Sequence, residues 1–184
     1  MKIKNSIDNN YIKPLTLIIG GYDIDSGITT ILKKMAKADN ILIGGTVANS
    51  FLLAQGFDIG KSDHDPAKIP QIRELMVTAD SFNKKIILPV DVIVSDKVDE
   101  KSDLLDLPVE DVEGDMKILD VGSKTIALFK QILDQSGTVY WSGPLGHYDI
   151  GRFKKATCAI ADCLKNNKSI TVIPNGEEVT ELLS

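Results

Sequence analysis

The sequence predicts a three-layer α/β fold, in which helices cover both faces of a mostly parallel sheet. Short apolar runs alternate with helical segments along most of the chain, and several of these runs end in glycine. Two-residue hairpin turns are missing from most of the gaps between them. Because parallel strands need long crossover connections, which are usually helical, this alternation favours a parallel sheet.

The first elements show the pattern most clearly. Residues 15–19 and 41–43 are apolar runs typical of buried parallel strands, and each is followed by a glycine pair. A helix capped by Asp25 or Ser26 is predicted after the first pair, and a helix that Gly56 ends is predicted after the second. The arrangement is Rossmann-like. Further strands are predicted at 85–88, 90–94, 104–107, 118–119, 138–141 and 170–173, and further helices at 65–79, 123–133, 152–164 and 177–183.

Composition and charge exclude several classes of function. The 184 residues carry a net charge of −5, which argues against binding to nucleic acids or anionic membranes, because both require positive potential. No apolar run approaches the ~20 residues that cross a bilayer. Residues 1–12 are polar, without the apolar core of a signal peptide, so we expect a flexible arm followed by one domain at 13–184, in the cytosol.

Glycines mark the ends of four predicted strands, at residues 20–21, 44–45, 143 and 176. The carboxyl ends of parallel strands meet at one edge of a sheet, where α/β proteins bind ligands. Each glycine alone is more typical of a turn, but together they predict a groove in which a ligand contacts backbone. Neither a Walker motif nor a spaced GxGxxG motif is present.

Short blocks in this order resemble the C-terminal domain of phosphoglycerate kinase over residues 13–178. The blocks are LIIGG at 17–21, IGG at 43–45 with FL at 51–52, QG at 55–56, IGK at 59–61, LPVD at 88–91, LDVGSKT at 119–125 and WSGPLG at 141–146. That family transfers a phosphoryl group between ATP and 3-phosphoglycerate. The resemblance implies that this part binds the magnesium nucleotide, while a separate N-terminal domain binds phosphoglycerate.

Carried over by position, the resemblance implies a nucleotide site at the glycine-bearing edge. Asp149 would accept hydrogen bonds from the ribose hydroxyls, and Gly176 and Glu177 would lie at the phosphates, with Glu177 as a magnesium ligand. The adenine slot and its cover would be formed by Gly20, Gly21, Gly44, Gly45, Leu119, Ser142, Gly143, Pro144, Gly146 and His147.

Several positions depart from the family pattern. Asp23 and Gly27 stand where the family has two lysines that contact phosphates, and Pro174 removes a backbone donor from the phosphate loop. An aspartate there opposes phosphate binding, since phosphoryl transfer depends on cationic stabilisation. Asp23 and Asp25 are also typical of a solvated loop that caps a helix.

These observations leave two functional hypotheses. The chain is either one part of a kinase, complemented by another chain, or a non-catalytic module that binds a nucleotide or a protein. The missing lysines favour the second, so we assign no catalytic residue and expect no phosphoglycerate kinase activity from this chain alone. We expect weak binding of ATP or ADP, with magnesium, driven by the adenosine end. A partner chain or a homo-oligomer remains open.

Overall fold

A computed structural model describes residues 1–7, 11–99, 101 and 103–184. Its centre is a six-stranded sheet in which all neighbouring strands of the described residues are parallel. The sheet strands are β1 (Lys2–Ile3), β2 (Leu15–Ile19), β3 (Asn40–Ile43), β4 (Lys85–Ile87), β8 (Thr138–Ser142) and β9 (Thr171–Asn175), in the spatial order β1-β9-β8-β2-β3-β4. The parallel sheet predicted from the sequence is confirmed.

Six helices accompany the sheet in the described residues. They are α1 (Ile24–Lys34), α2 (Gly45–Gln55), α3 (Ile69–Ser81), α4 (Ser123–Asp134), α5 (Lys155–Asn166) and α6 (Glu177–Leu183). Short 3-10 turns lie at Pro66–Lys68, Val109–Asp111 and Gly151–Phe153. No helix in the described part of the chain is long and apolar enough to span a membrane.

Alternate residues of the central strands point into two separate cores. Leu17 and Ile19 of β2 pack into a core with residues of α1, α2 and α3, whereas Ile18 packs with residues of α4, α5 and α6. Both sets are fully buried. Since side chains of a strand alternate between faces, the sheet is covered by helices on both sides, as the predicted three-layer fold requires.

A second, antiparallel sheet differs from the sequence prediction. It contains β5 (Asp91–Ser95), β6 (Leu105–Pro108) and β7 (Lys117–Val121), with β5 in the centre. The sequence predicted these strands within one residue or two but not their pairing, because no tight hairpin joins them. The connection between β5 and β6 contains residues 100 and 102, which lie outside the described residues.

The N-terminal residues also differ from the expected flexible arm at 1–12. Lys2 and Lys4 donate backbone hydrogen bonds to Ile170 and Val172, at 2.9 and 3.0 Å, so that β1 extends the sheet beside β9. Polar composition did not prevent this pairing, because the backbone supplies its hydrogen bonds. Residues 8–10 of the predicted arm lie outside the described residues.

Candidate functional site

The carboxyl ends of β2, β3 and β8 are joined by hydrogen bonds between their loops. Gly20 N donates to Ser142 O at 2.7 Å, Gly21 N donates to Pro144 O at 2.7 Å, and Gly45 N donates to Leu145 O at 2.8 Å. The glycine-bearing loops predicted to meet at this edge are therefore in direct contact.

Close contact between these loops explains two of the glycines. A Cβ atom on Gly20 would overlap the carbonyl group of Pro144, and one on Gly45 would lie 2.7 Å from Gly21 N. Gly45 also has a φ of +60°, which a residue with a side chain rarely adopts. Loop packing alone thus requires glycine here, whether or not a ligand binds.

An apolar pocket lies between α2, the second sheet and the loop after β8. Its free space is about 10 Å³, close to what one water molecule needs. Several of its residues share one face of α2, at spacings of three and four. The lining residues are Tyr22, Gly45, Thr46, Ala48, Asn49, Leu52, Pro89, Val92, Ile118, Leu119, Asp120, Val121, Leu145, Gly146 and His147.

The aromatic rings of Tyr22 and His147 are in contact in the lining of this pocket. The ring centroids of Tyr22 and His147 are 5.1 Å apart, with an angle of 67° between the planes, an edge-to-face arrangement that aromatic pairs favour. The Tyr22 hydroxyl also hydrogen-bonds with the Asp149 carboxylate, and burial and this negative charge raise the pKa of Tyr22. The backbone N of His147 donates to Leu119 O at 2.8 Å, which fixes the loop against β7.

Asp120 is a buried carboxyl group in the wall of the apolar pocket. Its two oxygens accept hydrogen bonds from Val121 N at 2.9 Å and from Ala156 N, in the first turn of α5, at 3.0 Å. Burial raises the pKa of Asp120 to about 7, although these donors and Lys155 act in the opposite direction. The group ties β7 to α5 and is proton-sensitive near neutral pH.

A second, open depression continues from the apolar pocket along the edge of the sheet. This rim groove is lined by Gly20, Gly21, Tyr22, Asp23, Ser26, Gly27, Ser142, Gly143, Pro144, Asn175, Gly176 and Glu178. Its charged lining residues, Asp23 and Glu178, are both acidic, so an anion in the groove would meet negative charge.

Asp23 has a structural role in the rim groove. Its Oδ1 accepts a hydrogen bond from Ser26 N at 2.9 Å and caps α1. The cap expected at Asp25 or Ser26 is therefore at Asp23, and Asp25 pairs instead with Lys68. The Asp23 carboxylate therefore stands at the N-terminus of α1, where the helix dipole and free N–H groups would favour a phosphate.

Magnesium does not fit the protein groups alone. Glu177 is exposed at the first position of α6. Among the described residues, no group of three or more His, Cys, Asp or Glu side chains is arranged to hold a metal ion. Because magnesium is commonly held by one or two carboxylates together with substrate phosphates and water, Glu177 remains the predicted protein ligand for a nucleotide-bound ion.

The structure divides the sequence-predicted site residues between the two cavities. Asp149 lies beside the pocket through its contact with Tyr22, while Gly44 packs against Leu145 and Glu177 lines neither cavity. Gly45, Leu119, Gly146 and His147 line the apolar pocket, and Gly20, Gly21, Ser142, Gly143, Pro144 and Gly176 line the rim groove.

Tyr22, Asn49 and Asp120 were not predicted as site residues. Tyr22 follows the first glycine pair directly, which was a usable signal, because the residue after a strand end borders the ligand edge. Asn49 is a polar residue on an otherwise apolar helix face, and Asp120 interrupts an apolar strand. A polar residue in a buried run is itself a signal.

Comparison with known proteins identifies one family. The family model described as phosphoglycerate kinase matches residues 1–183. Phosphoglycerate kinase from Desulfovibrio desulfuricans is 34% identical over 171 residues, which are 93% of this chain and 44% of that protein. The enzyme from Finegoldia magna is 35% identical over 170 residues, which are 92% of this chain and 43% of that protein.

Solved structures agree with the sequence comparisons. Phosphoglycerate kinase from Coxiella burnetii superposes with a TM-score of 0.91 at 31% identity, over 95% of this chain and 45% of that one. The Pyrococcus horikoshii enzyme, at 21% identity, has a TM-score of 0.78 and shows the shared fold. The chain thus spans less than half the length of these relatives.

Proposed function

Because the chain belongs to the phosphoglycerate kinase family, we propose that the apolar pocket and the rim groove form an adenine-nucleotide site that binds mainly through adenosine. The contrast between the two cavities carries this proposal. The apolar pocket offers apolar walls and backbone to a flat base, whereas the rim groove presents acidic side chains where phosphates would lie.

At the adenosine end, the pocket must widen before a base enters. Its free space is about 10 Å³, so Tyr22 and His147 have to separate from the positions in which they cover it. Displacing Tyr22 would also release the Asp149 carboxylate. Asp149 could then accept hydrogen bonds from the ribose hydroxyls, so that one movement opens the base slot and frees the ribose acceptor.

At the phosphate end, the groove opposes a polyanion. Two unit charges 4 Å apart interact by roughly 4 kcal/mol at an effective dielectric of 20, and solvent reduces this further at the exposed Asp23. Magnesium would supply charge neutralisation when bound to the nucleotide, with Glu177 as the one predicted protein ligand. The phosphates should therefore add little to the affinity.

We further propose that this chain alone does not catalyse phosphoglycerate kinase turnover, and that it acts as a nucleotide-binding or protein-binding module in the cytosol. The phosphate-binding lysines are missing at positions 23 and 27. In a coupled assay with ATP and 3-phosphoglycerate we expect no turnover. A rate of about 10 per second, the median for enzymes, would instead support the alternative, in which the chain is a working part of a kinase.

Calorimetric titration tests the binding proposal with four ligands: adenosine, ATP, ATP with magnesium, and inorganic triphosphate. We expect adenosine to bind within about tenfold of ATP, which is a difference of about 1.4 kcal/mol. Triphosphate, which carries the phosphates without the base, should not bind measurably. Magnesium-ATP that binds at least about a hundredfold more tightly than adenosine would show a working phosphate site and contradict the proposal.

A further inference from the structure

We propose that Asn49 makes the apolar pocket selective for a purine that carries an amino group at position 6 over one that carries an oxo group there. The inference rests on the proposed adenosine site and specifies which edge of the base the protein recognises. It depends on an unpaired acceptor at a buried position of α2.

Asn49 lies on the pocket-lining face of α2 and is 2% exposed. Its Nδ2 donates a hydrogen bond to Asp63 O at 3.0 Å. Its Oδ1 has no hydrogen-bond partner. Among the described residues, no other buried side-chain nitrogen or oxygen atom lacks a partner. A buried acceptor without a donor costs free energy, which a ligand donor would recover.

The hydrogen bond to Asp63 fixes which end of the Asn49 amide is free. If the amide rotated by half a turn, Oδ1 would face the carbonyl oxygen of Asp63, and two acceptors would repel each other. The loop that carries Asp63 is held on both sides, since Asp65 N donates to Ser50 Oγ at 3.2 Å and Ile118 N donates to Ser62 Oγ at 2.8 Å. The free group therefore remains an acceptor.

The pocket lining also contains one buried carboxyl group, that of Asp120. Both oxygens of Asp120 accept backbone hydrogen bonds, from Val121 and Ala156. Asn49 Oδ1 differs from these oxygens, because it is buried in the pocket lining without any hydrogen-bond donor among the described residues. An amino group would donate to Oδ1, whereas an oxo group would place a second acceptor against it.

Three nucleosides test this inference: adenosine, with a 6-amino group; inosine, with a 6-oxo group; and purine riboside, with hydrogen. We expect adenosine to bind about tenfold more tightly than purine riboside, as one hydrogen bond to a buried acceptor provides, and inosine to bind most weakly. Equal binding of adenosine and purine riboside, as when a water molecule satisfies Oδ1, would overturn the inference.

Two variants separate recognition from loop support. Asn49→Leu removes the acceptor at nearly constant size, and we expect the ratio of adenosine to purine riboside affinities to fall to about one. Ser50 also contacts the loop that carries Asp63, but it does not line the pocket. Ser50→Ala should therefore leave the ratio of adenosine to purine riboside affinities at its wild-type value. A preference that survives in Asn49→Leu contradicts the inference.

The outcomes also distinguish this inference from the proposed function. If all three nucleosides bind with equal affinity, the adenosine site stands and the role of Asn49 is wrong. If none binds, both proposals fail together. Should Asn49→Leu not fold, the three affinities of the unmodified protein still decide, because they test the acceptor directly.

Discussion

The apolar pocket and the rim groove lie next to each other and share Tyr22, yet their linings differ in chemical character. The pocket is lined by residues of α2 and by Leu119 of β7, which offer apolar walls to a flat ligand. In the groove, the glycine turns persist but Asp23 and Glu178 give the lining a negative charge.

The difference shows that backbone geometry and binding chemistry can separate. The loops of both regions require glycine because they pack on each other, as the overlap of a Cβ atom at position 20 with Pro144 demonstrates. These glycines therefore say little about whether phosphate binds. The side chains beside them decide, and these favour a nucleoside over a polyphosphate.

The largest expected effect comes from the pocket wall, at Asp120. Its folded-state pKa of about 7 lies above the ordinary 3.8, so the folded protein retains a proton that the unfolded chain releases. The stabilisation is complete below about pH 4 and is lost as the pH rises through 7, with a slope of up to about 1.4 kcal/mol per pH unit. Urea unfolding between pH 4 and pH 8 measures this slope.

The variant Asp120→Asn tests the assignment, because the amide does not titrate. We expect a lower stability at acid pH, since the amide turns a donor toward a backbone N–H, but a flatter dependence on pH between 4 and 7. Asp91→Asn is the matched control, for it replaces a buried carboxylate that accepts from Lys124 N and Thr125 N in α4. An unchanged slope in Asp120→Asn would contradict the prediction.

The parallel sheet was predictable because its signals are local. Residues 15–19 and 41–43 are short apolar runs that end in glycine, and each falls on an observed strand. The antiparallel sheet was not predictable in the same way, because β5 and β7 pair over a long separation in sequence without a recognisable turn. Strand pairing of that kind depends on tertiary contacts.

The site was predictable only in part. The family resemblance implied that Leu119 and His147 belong to the site, and both line the apolar pocket, but no pattern indicated that Tyr22 would cover it. The cover arises from a contact between loops 125 residues apart in sequence, at Tyr22 and His147. Such contacts depend on the folded arrangement of the loops, so ligand roles assigned by position remain predictions.

Tyr22 offers the sharpest test of the boundary between the two regions. Tyr22→Ala removes the ring contact with His147 and the hydrogen bond to Asp149. These interactions together stabilise the closed pocket by about 2 kcal/mol, and their removal favours adenosine binding. The variant also loses the contact between the tyrosine and the ligand, which acts in the opposite direction. We therefore expect the affinity for adenosine to rise by about tenfold. Calorimetry with adenosine measures the change.

Tyr22→Phe is the control for this prediction. It keeps the ring over the pocket but lacks the hydroxyl group, so it frees Asp149 without opening the slot. We expect a smaller gain than in Tyr22→Ala. If adenosine binds more weakly to Tyr22→Ala than to the unmodified protein, Tyr22 is part of the binding surface and does not act as a cover.

The smallest expected effect lies in the rim groove, at Asp23. Asp23→Lys exchanges a negative for a positive charge and should raise the affinity for ATP relative to adenosine by up to about fivefold, because exposed charges interact by at most about 1 kcal/mol. The same substitution removes the cap from Ser26 N, so stability should fall by about 1 kcal/mol. Calorimetry and urea unfolding measure the two effects separately.

Asp23→Asn separates charge from capping, because asparagine caps helices as well as aspartate does. We expect it to retain most of the stability and to show a smaller gain in ATP preference than Asp23→Lys. Raising the salt concentration should reduce both gains, since screening weakens interactions between exposed charges. If neither variant changes the ratio of ATP to adenosine affinities, the phosphates do not pass near Asp23, and the groove's acidity is then not what limits nucleotide binding.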